Sequence, residues 1–134
     1  MNDTLDAGFR ATILVVDDDS DMRFLARSVL EGSGITVADE AADGTEALAK
    51  LAQLNPPPVP TVVLLDNQMP GLTGLEVAEQ ILGDRPDQIV VLFSAYLDDT
   101  IVAAAQKVGV TSCVSKNDAM DLPRILQTIV RDNT

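Results

Sequence analysis

The sequence contains no histidine and no tryptophan, and its only cysteine is Cys113. Without histidine there is no Ser-His-Asp or Cys-His nucleophile pair, no His-ligated zinc site and no phosphohistidine. A single cysteine allows no disulfide within the chain, which favours a reducing compartment and predicts a cytoplasmic protein. Any chemistry must therefore come from carboxylates, lysine, hydroxyl groups or a metal ion held by oxygen ligands.

Basic residues are also scarce, with 9 Lys and Arg against 21 Asp and Glu and a net charge of −12. This negative field repels nucleic acid, so we expect no DNA or RNA binding through this chain, but it suits divalent cations and basic protein surfaces. Long apolar runs are missing, and the N-terminal MNDTLDAGFR has no apolar signal segment. We therefore expect no contact with a membrane.

What the sequence does have is enough apolar material for one core, with 134 residues of which 46% are hydrophobic. We expect a flexible tail over residues 1–10, a single folded domain over 11–131 and a short tail over 132–134. No output domain is expected within this chain, which is either a stand-alone domain or a piece of a longer protein.

Five short apolar runs alternate with amphipathic segments. The predicted strands cover 13–16, 35–38, 62–65, 88–93 and 110–114. Helices should begin near Ser20, Gly44, Thr73, Asp98 or Asp99, and Leu122, while the Pro-rich stretch 55–60 forms a stiff connector. Five strand-then-helix repeats predict an α/β fold, a doubly wound five-stranded parallel sheet with helices on both faces.

Helical spacing predicts which side chains face the core. The inward set comprises Met22, Leu25, Ala26, Val29 and Leu30 in the first helix, and Ala47, Leu48, Leu51 and Ala52 in the second. Phe24 lies on the opposite face of the first helix, with Arg23 and Arg27 beside it. We interpret Phe24 as a candidate contact for a partner protein, with an ordinary surface position as the alternative.

Parallel strands bring their carboxyl ends to one edge of the sheet, where open α/β proteins bind ligands. The predicted strands end at Asp17 and Asp18, at Asp66, at Ser94 and at Lys116. Singly, each residue has an ordinary explanation, and we assign Asp19 and Asp21 to the start of the first helix. Together they predict an oxygen-ligated Mg²⁺ or Mn²⁺ site that faces phosphate oxygens, with an Asp able to attack phosphorus.

The segments ILVVDDD, ADGTEAL, VVLLDNQMPGLTGLE, VLFSA and VSK occur in this order. From about Thr12 to Val130 the chain resembles the receiver domain of two-component response regulators. The resemblance implies the flavodoxin-like strand order 2-1-3-4-5. It also implies a phosphoryl group donated by a histidine kinase or phosphotransfer protein, and a downstream partner that reads the face of the fourth helix, fifth strand and fifth helix. Such a domain promotes only its own phosphorylation and dephosphorylation and is not an enzyme otherwise.

The same resemblance implies a role for each residue at the edge. Asp66 would be the phosphoacceptor and Lys116 the phosphate-binding lysine, while Ser94 would be the switch hydroxyl. Asp17 and Asp18 would form the acidic pair, with Asp18 the direct metal ligand, and the backbone carbonyl of Gln68 would be a further ligand. Two positions depart from the family: Cys113 stands where Tyr or Phe is usual, and Asn117 stands where many members have Pro. We therefore expect the loop with Tyr96 to carry the conformational change.

Other functions remain as alternatives. A pseudo-receiver would use the same fold as a phosphorylation-independent interaction module, but the full set of edge residues argues against it. A phosphatase of the haloacid dehalogenase type needs a second Asp two residues after its nucleophile, and that residue is Gln68. A flavodoxin-like electron carrier is excluded because acids replace its hydroxyl-rich phosphate loop.

Overall fold

A computed structural model describes residues 9–54 and 60–133. The described residues form one five-stranded sheet in which every pairing is parallel and the order is β2-β1-β3-β4-β5. The strands are β1 Thr12–Val16, β2 Thr36–Ala41, β3 Thr61–Leu65, β4 Ile89–Ser94 and β5 Ser112–Ser115. The predicted fold class and strand order are confirmed.

Five α-helices alternate with the strands. They are α1 Ser20–Gly32, α2 Gly44–Gln53, α3 Gly74–Asp84, α4 Asp99–Val108 and α5 Leu122–Asp132. The first four begin after a residue whose side chain accepts a backbone N–H of the first turn, namely Asp19, Asp43, Thr73 and Asp98. These are the residue types that helix N-termini favour, so the starts were readable from the sequence.

The sheet separates two apolar clusters because successive side chains along a strand point to opposite faces. One cluster joins Ile13 and Val15 to residues of α1 and α5, and the other joins Leu14 and Val16 to residues of α2, α3 and α4. All five residues of β3 are buried. A central strand covered on both faces has no freedom to slip, and this fixes where its carboxyl end lies.

Several details differ from the sequence prediction. Leu25 and Ala52, predicted to face the core, are exposed, because only the centre of each apolar stripe, such as Ala26, Leu30 and Leu51, reaches the sheet. β2 extends to Ala41, beyond its predicted end at Ala38. A 3₁₀ helix, Lys116–Asp121, precedes α5 and was not predicted.

Two predicted segments fall largely outside the described residues. The N-terminal tail shares only residues 9 and 10 with the described part, and the Pro-rich connector shares only Pro60. At the other end, α5 continues to Asp132, so the predicted tail over 132–134 begins inside that helix.

Candidate functional site

Two buried carboxylates lie at the carboxyl edge of the sheet, one at the end of each central strand. The N–H of Asp17 donates to the carbonyl of Ala41 at 3.0 Å, and the N–H of Asp66 donates to the carbonyl of Val16 at 2.9 Å. Each acid thus continues the hydrogen-bonded ladder by one residue. Both residues are only 3% exposed, so the ladder places two carboxyl groups where little water reaches them.

A third carboxylate completes an acidic cluster. Carboxylate oxygens of Asp17, Asp18 and Asp66 lie within 4.8 Å of one another, and Asp18 is the exposed member. Oδ1 of Asp17 accepts the N–H of Asp19 at 2.9 Å. Asp19 itself accepts the N–H of Asp21 and caps α1, as predicted, so its carboxylate serves the helix.

Lys116 faces this cluster from the end of β5. Its Nζ lies 2.7 Å from Oδ2 of Asp17 and 3.4 Å from Oδ1 of Asp66. Burial alone would lower the pKa of Lys116, but the hydrogen bond and charge of Asp17, together with Asp66, raise it above the usual value. Lys116 therefore stays charged and partly neutralises the two buried acids.

Asp66 remains poorly compensated in spite of this neighbour. Burial and the repulsion from Asp17 raise its pKa, against the opposing influence of Lys116 and of the N–H of Gln68. Its Oδ1 is buried and accepts no well-aligned hydrogen bond from the described residues, because the contact with Lys116 at 3.4 Å is an ion pair only. Such an oxygen is costly to leave unpaired, and a cation would satisfy it.

The donor set fits a hard divalent cation. Three carboxylates and no nitrogen or sulfur ligand suit Mg²⁺ or Mn²⁺, which prefer oxygen. Gln68 lies two residues beyond Asp66 in the loop before α3, with its side chain exposed. The three acids that the sequence analysis expected to meet therefore lie together in the structure and face Lys116.

The hydroxyl group of Ser94 is already hydrogen-bonded to a neighbouring loop. Ser94 ends β4 and is fully buried, and its Oγ both donates to the carbonyl of Tyr96 and accepts the N–H of Tyr96, each at 3.2 Å. The described hydrogen bonds of this hydroxyl therefore go to the loop that leads into α4. Tyr96 itself is 57% exposed.

The loop after Asp66 is fixed to the start of α3 by contacts that the sequence did not suggest. Oδ1 of Asn67 accepts the N–H of Leu75 at 3.0 Å, and the carbonyl of Asn67 accepts the N–H of Gly74 at 3.0 Å. At Gly74 a Cβ would lie 2.7 Å from Cα of Asn67 and 2.9 Å from the carbonyl carbon of Asp66. Only a residue without a side chain allows this approach.

Arg23 was likewise missed. Its Nη1 donates to the backbone carbonyl of Asp17 at 2.6 Å, and its Nε donates to Glu40 at 3.1 Å. An Arg on an amphipathic helix usually faces solvent, so no sequence signal separates this residue from Arg27. The contact depends on where β2 ends relative to β1.

Comparison with known proteins identifies the family of this chain. The family model for the response regulator receiver domain matches residues 13–129. The chemotaxis protein CheY of Thermotoga maritima is 30% identical over 104 residues, covering 78% of this chain and 83% of that protein. The response regulator TrrA of Thermotoga maritima, solved in complex with Mg²⁺-BeF, is 31% identical with a TM-score of 0.76, covering 89% of this chain and 98% of that one.

Another relative is much longer than this chain. A protein-glutamate methylesterase/protein-glutamine glutaminase of Archaeoglobus fulgidus is 34% identical over 122 residues, covering 89% of this chain and 34% of that protein. The chain thus spans about a third of its length. No helix within the described residues is long and apolar enough to cross a membrane. The match over residues 13–129, on a sheet of the same strand order, shows that this chain belongs to the response regulator receiver domain family.

Proposed function

We propose that this receiver domain is a phosphorylation switch that accepts a phosphoryl group on Asp66 in a Mg²⁺-dependent reaction. The observation that carries the proposal is the buried Oδ1 of Asp66, which accepts no hydrogen bond from the described residues, lies 3.4 Å from Lys116 and stands beside two further carboxylates. A carboxylate that attacks phosphorus needs positive charge close to the incoming phosphoryl group. At this edge of the sheet, Lys116 and the proposed cation would supply that charge. Mn²⁺ is an alternative cation.

The residues that would hold the cation are Asp17, Asp18, Asp66 and the backbone carbonyl of Gln68. When bound, the ion neutralises negative charge on the transferred phosphoryl group. A carboxylate oxygen of Asp66 forms the new bond to phosphorus in line with the bond that breaks, and the leaving group departs with that bond's electron pair. Lys116 donates to a phosphoryl oxygen and so keeps its positive charge close to the developing acyl phosphate.

A labelling experiment tests this chemistry. With acetyl phosphate as donor, we expect labelling that needs Mg²⁺, stops on addition of a chelator and is absent in Asp66→Asn. Asp18→Asn should weaken Mg²⁺ binding more than Asp19→Asn, since the Asp19 carboxylate caps α1. The Asp19 variant is thus a control for loss of one nearby charge. Labelling of Asp66→Asn equal to that of the wild type would overturn the assignment.

The proposed donor is a histidine kinase or phosphotransfer protein that docks beside the acidic edge on α1. Phe24 is 72% exposed, and its neighbour Leu25 adds exposed apolar surface. Arg23 and Arg27 are turned away to Glu40, so the docking contact is apolar rather than basic. We expect Phe24→Ala to slow phosphotransfer from the cognate kinase and to leave labelling by acetyl phosphate unchanged. Unchanged transfer from the kinase in a folded variant would contradict this docking site.

The proposed output is a change in the face formed by α4, β5 and α5, read by a downstream protein. Ser94 at the end of β4 connects to this face through Tyr96, which precedes α4. Cys113 lies half-buried in β5, where Tyr or Phe is usual in the family. Because its side chain is small, we assign the conformational change to the loop that contains Tyr96. No observation on the described residues favours a phosphorylation-independent docking module over this switch.

A further inference from the structure

Arg23 links the acidic edge to the neighbouring strand with one guanidinium group. It lies in the first turn of α1, and its side chain is only 19% exposed. Nε donates to Oε1 of Glu40 at 3.1 Å, and Nη1 donates to the backbone carbonyl of Asp17 at 2.6 Å. A planar guanidinium presents several N–H groups in fixed directions, so it can hold both acceptors at once, which an ammonium does less well.

The carbonyl of Asp17 needs this donor because β2 is too short to supply one. The ladder between β1 and β2 ends when the N–H of Asp17 donates to the carbonyl of Ala41. In a parallel ladder the next backbone donor to this carbonyl would be the N–H of Asp43, but β2 ends at Ala41 and Asp43 is already the N-cap of α2. Arg23 therefore takes the place that a backbone N–H of a longer β2 would occupy. A buried carbonyl is normally paired, and here a helix side chain does the pairing.

The position of the guanidinium is itself fixed by Glu40. Oε2 of Glu40 accepts Nε of Arg27 at 2.6 Å, and the backbone carbonyl of Glu40 accepts Nζ of Lys50. Nη1 of Arg27 in turn donates to Glu31 at 2.8 Å. Glu40 is thus held from both sides, so its carboxylate sets the direction in which Arg23 points.

We infer that Arg23 is a positioning residue for the acidic site, which it serves by fixing the backbone of Asp17. The carboxylate of Asp17 keeps its 2.7 Å contact with Lys116 and its 2.9 Å bond with the N–H of Asp19 only while its own peptide group stays in place. The carbonyl of Asp17 belongs to the peptide group that joins Asp17 to Asp18, so freeing it lets this peptide rotate and shifts Asp18 relative to the carboxylates of Asp17 and Asp66. This inference rests on the proposed function, because it concerns binding of Mg²⁺ at that site.

Calorimetric titration of Mg²⁺ into the metal-free protein tests the inference without any phosphoryl transfer. We expect Arg23→Ala to raise the dissociation constant about 10- to 100-fold, the usual effect of removing a residue that orients a metal ligand. Arg23→Lys should give a dissociation constant between those of the wild type and Arg23→Ala, since lysine keeps the positive charge but lacks the planar guanidinium that contacts both acceptors. Arg27→Ala is the matched control, because it also removes one positive charge from α1 and one contact to Glu40, while the bond from Arg23 to the carbonyl of Asp17 and the bond from Lys50 to the Glu40 backbone remain.

The control separates positioning from two simpler explanations. Loss of a positive charge near an acidic site strengthens cation binding through space, so a weaker Mg²⁺ affinity in Arg23→Ala has the opposite sign to a pure charge effect. General destabilisation lowers the free energy of unfolding of both variants without separating their Mg²⁺ affinities. Equal Mg²⁺ affinities in the Arg23 and Arg27 variants would overturn the inference. If Arg23→Ala does not fold, the same comparison is made between Arg23→Lys and Arg27→Ala. A wild-type chain that binds no Mg²⁺ would overturn the proposed function first and this inference with it.

Discussion

Gly74 offers a sharp test of how closely α3 approaches the end of β3 at Asp66. Alanine at this position would place its Cβ against the backbone carbonyl oxygen of Asp66, and 2.7 Å from Cα of Asn67. The colliding atoms are backbone, so no side-chain rotation relieves the contact. Overpacking of a filled site costs about 1–3 kcal/mol, and the rigid neighbours put this case at about 3 kcal/mol.

Gly83, near the other end of the same helix, supplies the control. A Cβ there meets no atom within 4 Å, and the residue lies inside α3. Gly83→Ala should therefore stabilise the protein by about 0.5 kcal/mol, through the better helix propensity of alanine. The same substitution thus acts with opposite sign at two positions of one helix.

Urea unfolding of both variants in metal-free buffer gives the measurement. We expect the two free energies of unfolding to differ by about 3 kcal/mol or more, with unchanged dependence on urea concentration. Gly74→Ala should also lower Mg²⁺ affinity, because the contact pushes on the backbone of Asp66. Free energies of unfolding that agree within about 0.5 kcal/mol would refute the close packing of α3 against this loop.

Three further outcomes follow from the charges and hydrogen bonds of the site. Because burial and Asp17 raise the pKa of Asp66, the folded chain keeps its proton to higher pH than the unfolded chain does. The metal-free wild type should therefore lose stability relative to Asp66→Asn as pH rises from the ordinary value of 3.8 through the raised pKa, and parallel curves would contradict this. Lys116→Met removes the cation between two buried acids and should cost about 3 kcal/mol without Mg²⁺ and much less with it, so equal losses in urea unfolding would be a contrary result. Finally, Tyr96→Ala should weaken the phosphorylation dependence of partner affinity and Cys113→Ala should not, and the reverse order would identify Cys113 as the output residue.

The ends of β1 and β3 could be predicted because the apolar runs themselves set them. Val62 to Leu65 is followed at once by Asp66, and in a parallel sheet that position leads to one edge whatever the helices do. The helix starts were equally local, since Asp19, Asp43 and Thr73 act within their own turn. For these features a short stretch of sequence contains both partners of the interaction.

What the sequence could not predict depends on contacts between distant segments. Arg23 and Arg27 are alike in sequence, and only the end of β2 gives one of them the carbonyl of Asp17. No apolar periodicity in the sequence predicts the 3₁₀ helix Lys116–Asp121. Leu25 lies on the flank of α1, and helical spacing alone does not say how wide a stripe the sheet covers.

In the proposed switch, the hydroxyl of Ser94 would couple the acidic edge to the loop before α4, because it cannot donate to a phosphoryl oxygen and to the loop at the same time. It has one proton to donate, and that proton is now shared with the carbonyl of Tyr96. A phosphoryl oxygen on Asp66 that took this proton would end the bond to the carbonyl, and rotation of the hydroxyl would also weaken its bond to the Tyr96 N–H. Both backbone groups of Tyr96 would then need new partners, and its exposed ring can follow because little packs against it. In the proposed switch, the change would therefore reach α4 through the backbone, without an aromatic side chain at position 113.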